Sequence, residues 1–316
     1  KHLMLNTNGI RIATDAQFAK RLRDYRPGFE VYLQFDSLQP GPLKSLRGAD
    51  LTGIRRKALD QLNALGISTT LVVTLQKHLN DQEVGDILRF ALKQPCVRGV
   101  TFQPIQAAGR FEGHDPARDR LTLSEVRRQI LDQCPELFQP SDIVPVPCHP
   151  DCLAMGYALK LDGQVYPLTR WLDPAVWLQS ERNTIVFEQS PNLRDEVFRL
   201  FSTSHSPSSA AGTLRQLLCC LPLVEAPSAI GYDNVFRVLI MQFMDAYNLD
   251  VRSVKKTCVH IVHPDGRIIP FDTYNLFYRD QDAAADPMPI RMESDGLVSI
   301  RGGRRTPGRP GRSPGE

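Results

Sequence analysis

The residues best equipped for chemistry in this 316-residue chain are thiols. Cys148-His149-Pro150-Asp151-Cys152 sets two cysteines four apart on a proline-rich turn, where both could face one ion or one corner of a cluster. Cys219, Cys220 and Cys258 could complete a four-thiolate set, because soft iron–sulfur and zinc centres take sulfur ligands. The competing reading treats buried thiols as small hydrophobes, and Cys219-Cys220 on a helix fits that as well. Cys96 and Cys134 are assigned to packing. His260 alternates with apolar residues and reads as a hydrogen-bonded structural histidine. Oxygen donors gather elsewhere. Asn6-Thr7-Asn8 and Asp36-Ser37 could hydrogen-bond a ribose or an amino-acid moiety, or cap loops. Arg110 could clamp a carboxylate or phosphate, or make a surface salt bridge. No Ser/His/Asp hydrolase signature, GxGxxG motif or P-loop is present.

The elements that would position these groups run from Phe29 to Arg110. FEVYLQFDSL, STTLVVTL and VRGVTFQPI read as buried strands. Between them lie an amphipathic segment carrying Ile54, Ala58, Leu59, Leu62 and Leu65, stopped by Gly66, and a second carrying Val84, Ile87, Leu88, Ala91 and Leu92, with Asn80 as its cap. KHLMLNTNGIRI adds a strand in front that ends in a Thr-Asn-Gly turn, and Asp15 caps a short helix. The pattern is α/β, with four successive strands made parallel by helical crossovers. Doubly wound sheet and barrel both put function at the strand carboxyl ends, here Asp36-Ser37, Thr74-Leu75-Gln76 and Gln103-Pro104. An exposed first edge makes a poor free-standing domain, so an upstream portion is expected.

A boundary is predicted near 136–145, where prolines accumulate, giving domains at 1–135 and 136–280. In the second, YALKLDGQVYPL (157–168) and CVHIVHPDGRIIPF (258–271) read as hairpins with Asp-Gly turns. LRDEVFRLFS, GTLRQLLCCL and YDNVFRVLIMQFMDAYN read as amphipathic helices between them. Residues 281–316 are expected to form a disordered tail. Residues 301–316 hold five arginines against one glutamate, which accounts for the formal charge of +3 and leaves the body nearly neutral. A specific nucleic-acid face is therefore not expected. Seven cysteines, an odd number, suit a reducing, cytoplasmic setting better than a disulfide scaffold.

LNTNG, YLQFDSL, RRKALDQLNALGISTTLVVTL, LNDQEVGDILRFAL, VRGVTFQPIQAAGR, PVPCHPDC, LLCCLP and SVKKTCVHIVHPDGRIIPFDTYNLFYRD together resemble the radical S-adenosylmethionine enzymes, in the branch of tetraether lipid synthase-like proteins, over residues 1–280. The resemblance implies a partial (β/α)₆ barrel with its last four strands present, followed by an α+β auxiliary iron–sulfur domain. It implies S-adenosylmethionine beside Thr7, Asn8, Gly9, Gln34, Asp36, Ser37, Gln103 and Pro104. A [4Fe–4S] cluster would be held by Cys148, Cys152, Cys220 and Cys258, with Cys219 in place of Cys220 as the variant.

By the same resemblance, the complete enzyme generates a 5′-deoxyadenosyl radical for C–H activation on a small or lipid-like substrate, fed by an electron donor such as a ferredoxin or flavodoxin. One departure stands out. The family's CxxxCxxC is absent: Cys148 and Cys152 supply CxxxC, the third position is Met155, and the segment lies past the barrel. This chain alone is therefore expected to be inactive. The alternatives are an iron–sulfur or electron-transfer fragment without that chemistry, and an ordinary phosphate-binding barrel enzyme with inert cysteines.

Overall fold

A computed structural model describes residues 3–26, 28–108, 115–146, 149–161, 164–167, 169, 234–279, 291–292 and 298–299. The chain divides into two compact units, residues 1–256 and 257–316. The first is built on one mainly parallel sheet. β1 (Leu3–Thr7), β2 (Phe29–Gln34), β3 (Thr69–Leu75) and β4 (Val97–Pro104) stand side by side in chain order, all parallel. These are the four strands that the sequence predicts.

Their crossovers are α1 (Ile10–Thr14) with α2 (Ala16–Arg23), then α3 (Pro40–Arg47) with α4 (Thr52–Leu65), then α5 (Val84–Leu92). α6 (Pro116–Asp119) and α7 (Leu123–Gln133) follow β4. Helix boundaries follow local chemistry. Asp15 accepts the Phe18 amide, and Gly66 closes α4 at φ 59°. Thr122 and Glu125 form a complete capping box on α7.

Ile12, Leu22, Ala58, Leu62, Ile87, Leu88 and Ile130 from the helices share one core with Val31, Leu33, Leu71, Val73, Val100 and Phe102 from the strands. The described helices therefore cover a single face of the sheet, where a doubly wound fold would cover both. Among the described residues the sheet is singly wound and open.

The first strand ends at Thr7 in the expected Thr-Asn-Gly turn, with Gly9 at φ 78°, and Ile10 starts a helix. Two sequence expectations need correction. The Asn80 side chain does not cap a helix, a role described below. The segment YDNVFRVLIMQFMDAYN contains no helix among its described residues. Its core is β8 (Val235–Met241), which pairs parallel with β4. A run of seven apolar-rich residues is ambiguous between the two states by periodicity, and pairing with an open strand edge decided it.

Beyond the predicted boundary, β5 (Val144–Pro145), β6 (Leu153–Leu161) and β7 (Gln164–Pro167) lie on the far side of β8, in the same sheet. β6 and β7 form the first expected hairpin. The second lies in the other unit, as β9 (His260–Val262) and β10 (Ile268–Pro270), with Gly266 at φ 89°. His260 is exposed there rather than structural. Within 281–316 the described residues form one short antiparallel pair, β11 (Arg291–Met292) with β12 (Val298–Ser299). Among the described residues no helix is long and apolar enough to cross a membrane.

β8 enters the sheet only because Gly99 opposes it. A Cβ at residue 99 would stand 2.5 Å from the Arg237 carbonyl oxygen and 2.7 Å from its Cγ. Gly99→Ala is expected to destabilise the protein by about 1–3 kcal/mol through overpacking, read as a lowered urea midpoint. An unchanged midpoint would show that β8 does not pack there.

Candidate functional site

The face of the sheet turned away from the helices is polar. Strand register sorts it into rows. Asn6, Tyr32, Thr70, Gly99, Arg237 and Tyr157 form one row across β1, β2, β3, β4, β8 and β6. Val72, Thr101, Leu239 and Met155 form the next, beside Gln34, and Thr74 and Gln103 stand together at the strand carboxyl ends. The lower row and its neighbour Glu30 are locked. Arg237 Nη2 donates to both Glu30 oxygens at 2.7 Å and lies 3.2 Å from Tyr32 Oη and Thr70 Oγ1. Thr70 Oγ1 donates to Glu30 at 2.5 Å. Burial pushes Tyr157 up to about 12, so it stays a neutral phenol beside this ion pair. A network so fully satisfied has little left to offer a ligand.

At the carboxyl ends a second network forms around Asp36. It is a fully buried residue in the left-handed region at φ 61°, where only glycine, asparagine and aspartate are at ease. Its carboxylate accepts Arg47 Nε and Nη2 at 2.8 Å each, Arg55 Nη2 at 2.7 Å and the Thr74 amide at 3.0 Å. Arg55 also donates Nε to the Gln34 carbonyl at 2.7 Å. Burial pulls the Arg55 pKa down and the Asp36 hydrogen bonds push that of Arg47 up, yet both guanidiniums remain charged.

Asn80, buried, donates Nδ2 to the carbonyls of Asp36 and Thr74 at 2.8 Å each and accepts the Gln76 amide at 2.9 Å, which ties β2 to β3. Ser37 Oγ and the Leu38 amide both bond the Glu83 carboxylate. Arg47, Arg55, Asn80 and Glu83 were not singled out by sequence reasoning as site residues. Their one signal is position, on the loops and helix turns that follow strand ends.

Thr7 Oγ1 accepts the Gly9 amide and Asn8 Oδ1 the Ile10 amide, so both shape a turn. Gly9 packs so tightly that a Cβ would lie 2.6 Å from Leu33 Cδ1. Asp36 and Ser37 are spent on protein partners. The carboxamides of Gln34 and Gln103, half-buried at the strand ends, make no hydrogen bond among the described residues. Pro104 is buried beside Gln103. Arg110, Cys148, Cys219 and Cys220 lie outside the described residues.

Cys152 is half-buried, and its carbonyl accepts the Gln242 amide at 2.8 Å. Leu153 pairs with Met241, so Cys152 sits at the carboxyl end of β8, two strands from Gln103, on the order of 10 Å away. The adjoining turn is strapped down. Gln106 Nε2 donates to the Met244 carbonyl, and Asp245 accepts the Ala107 amide and Arg120. Cys258 is exposed and belongs to the second unit. Among the described residues no three Cys, His, Asp or Glu side chains converge as a metal site.

A cleft of about 710 Å³ opens between α7 and β5, lined by Arg127, Pro140, Pro145, Pro150 and Asp151. It includes Ala154, a residue of the helix-covered core, and so lies off the polar face. The strand ends, with their unpaired carboxamides, are the second candidate.

The chain is similar to a curated dimethyltransferase. It is 28% identical over 336 aligned positions to the 7,8-dihydro-6-hydroxymethylpterin dimethyltransferase of Methanocaldococcus jannaschii. The match covers 92% of this chain and 64% of that protein. No protein-family profile matches the chain.

Two outcomes follow from the burial. Asp36→Ala strands the buried Arg55 guanidinium and unpairs that of Arg47, and is expected to cost about 3–5 kcal/mol of stability, more than Asp36→Asn, in urea titrations. Burial pushes the Cys96 and Cys134 thiols up to about 11 and about 12. At a pH of about 8 iodoacetamide should therefore label exposed Cys258 and leave those two unmodified, as mass spectrometry would show.

Proposed function

We propose that this chain is part of a radical S-adenosylmethionine enzyme that modifies a small heterocycle of the pterin class. The observation that carries the reading is the strand-end row. Gln34 and Gln103 present unpaired carboxamides at positions where the family resemblance expects the cofactor. Donor and acceptor groups of this type suit a nucleoside or a pterin edge better than a lipid chain, which needs an apolar surface. The similarity to a pterin dimethyltransferase supports the same substrate class.

S-Adenosylmethionine with a reduced [4Fe–4S] cluster would supply hydrogen abstraction from an unactivated C–H bond. The residues of this chain would do the protein's share of the work. Gln34 and Gln103 would orient the ligand, Asp36 and Asn80 would hold the strand ends that carry them, and the Asp245 strap would keep the turn after β4 in place.

The described cysteines assemble no cluster site, and no three cysteines in the sequence have the CxxxCxxC spacing. An auxiliary cluster on Cys148, Cys152, Cys219 or Cys220, and Cys258 remains part of the proposal, as do the partial barrel over residues 1–135, the auxiliary domain over 136–280, and a ferredoxin- or flavodoxin-type electron donor.

The full chain is expected to bind S-adenosylhomocysteine in isothermal titration. It should release no 5′-deoxyadenosine after anaerobic treatment with iron, sulfide, S-adenosylmethionine and dithionite. Failure to bind the nucleoside would overturn the cofactor reading. Release of 5′-deoxyadenosine would show that the cysteines of this chain suffice for cleavage.

A further inference from the structure

The cleft between α7 and β5 holds a positive charge that no carboxylate matches. Arg127, on the second turn of α7, reaches the segment that leads into β5. Its Nε donates to the Ile143 carbonyl at 2.9 Å and its Nη2 to the Pro140 carbonyl. Both acceptors are neutral, and Nη1 has no partner among the described residues. The buried arginines Arg55 and Arg237, by contrast, each sit on a carboxylate.

The acidic groups around the cleft do not serve Arg127. Asp142 is buried and committed to the Gln139 amide and the Thr169 hydroxyl. Glu125 is tied to Lys77 and to the Thr122 cap. Asp151 lines the cleft, exposed, and makes no ion pair with Arg127 among the described residues. Other lining groups add donors. Gln242 spends its Oε1 on the Leu123 amide at 2.7 Å, so its Nε2 is left to give, and no described group takes it. The exposed Ser141 hydroxyl is likewise unclaimed. Pro140, Pro145 and Pro150 supply apolar wall. Proline has a fixed φ, so such a wall needs little ordering before it can receive a ligand. A volume of about 710 Å³ is that of a small-molecule site.

We propose that this cleft binds a small organic anion, with its phosphate or carboxylate on Arg127 Nη1 and Gln242 Nε2 and its apolar body against the prolines. A guanidinium already fixed through two of its nitrogens loses little freedom on binding, which favours recognition of an oxyanion. The cleft lies off the polar face, so this ligand is separate from the one assigned to the strand ends. The inference therefore stands whether or not the cofactor reading does.

Ligand-observed NMR on the full chain with phenyl phosphate, benzoate and benzyl alcohol tests this. The three probes share an aromatic body and differ in the head: phosphate, carboxylate or no charge. At least one anion is expected to bind more tightly than the alcohol, and the tighter of the two identifies the head group that the cleft takes. Arg127→Gln should weaken that anion by about ten-fold and leave the alcohol unchanged. S-Adenosylhomocysteine should not displace it. A wild-type chain that binds neither anion, or binds the alcohol as tightly as both, overturns the proposal. So does displacement by S-adenosylhomocysteine, which would put the anion at the strand ends.

Arg127 also ties α7 to two main-chain carbonyls, so a second variant is needed if Arg127→Gln does not fold. Ser141→Glu changes an exposed residue whose side chain makes no bond among the described residues, and it brings a carboxylate to the cleft. It should weaken the same anion by charge repulsion and spare benzyl alcohol. Unchanged anion affinity in a folded Arg127→Gln overturns the proposal, and where that variant does not fold, unchanged anion affinity in Ser141→Glu does.

Discussion

The arrangement of the strand ends depends on one carboxylate. Asp36 takes four hydrogen bonds from three separate places in the chain: Arg47 on α3, Arg55 on α4 and the Thr74 amide on β3. A buried carboxylate is tolerable only when its charge is matched and its lone pairs are filled, and here both conditions hold. The matching also stabilises a left-handed backbone at a residue with a side chain, a conformation that costs free energy on its own. The chain can therefore leave β2 in a sharp turn and enter α3 over the sheet edge. The same bonds fix where α4 starts and how far β3 extends.

A second buried ion pair does related work lower in the sheet. Glu30 and Arg237 are separated by 207 residues and meet at 2.7 Å on the polar face. Arg237 can reach Glu30 because residue 99 between them is glycine. The pair pins the register of β8 and so determines which side chains follow above it, Leu239 and then Met241. Polar hydroxyls and amides on β1 to β4 thus give way to apolar side chains on β8 and β6.

The position of Cys152 follows from the same topology. β6 runs antiparallel to β8, so its first residues return to the carboxyl end of the parallel strands. A thiol that follows the strand ends by some fifty residues in sequence ends up about two strand spacings from Gln103. The Asp245 strap, bonded to Arg120 and the turn after β4, closes the same end from the other side. Strand ends, strap and thiol share one end of the sheet.

By itself the sequence determined the parallel βαβαβ core, the caps at Asp15, Gly66 and Thr122, and both hairpins. These features are local. Apolar period, capping chemistry and helical crossovers are set within a few residues of each other. Tertiary structure decided what locality cannot reach. It made a strand of Val235–Met241, since an apolar run takes the state that its neighbour offers, and β4 offered an open edge. It also turned Asp36 and Ser37 from apparent ligand groups into supports, because a carboxylate or hydroxyl near a ligand and one buried among arginines are the same residue types. Only packing shows which donors already occupy them. The same packing left Gln34, Gln103 and one edge of Arg47 unclaimed, and no spacing in the chain could have foretold that.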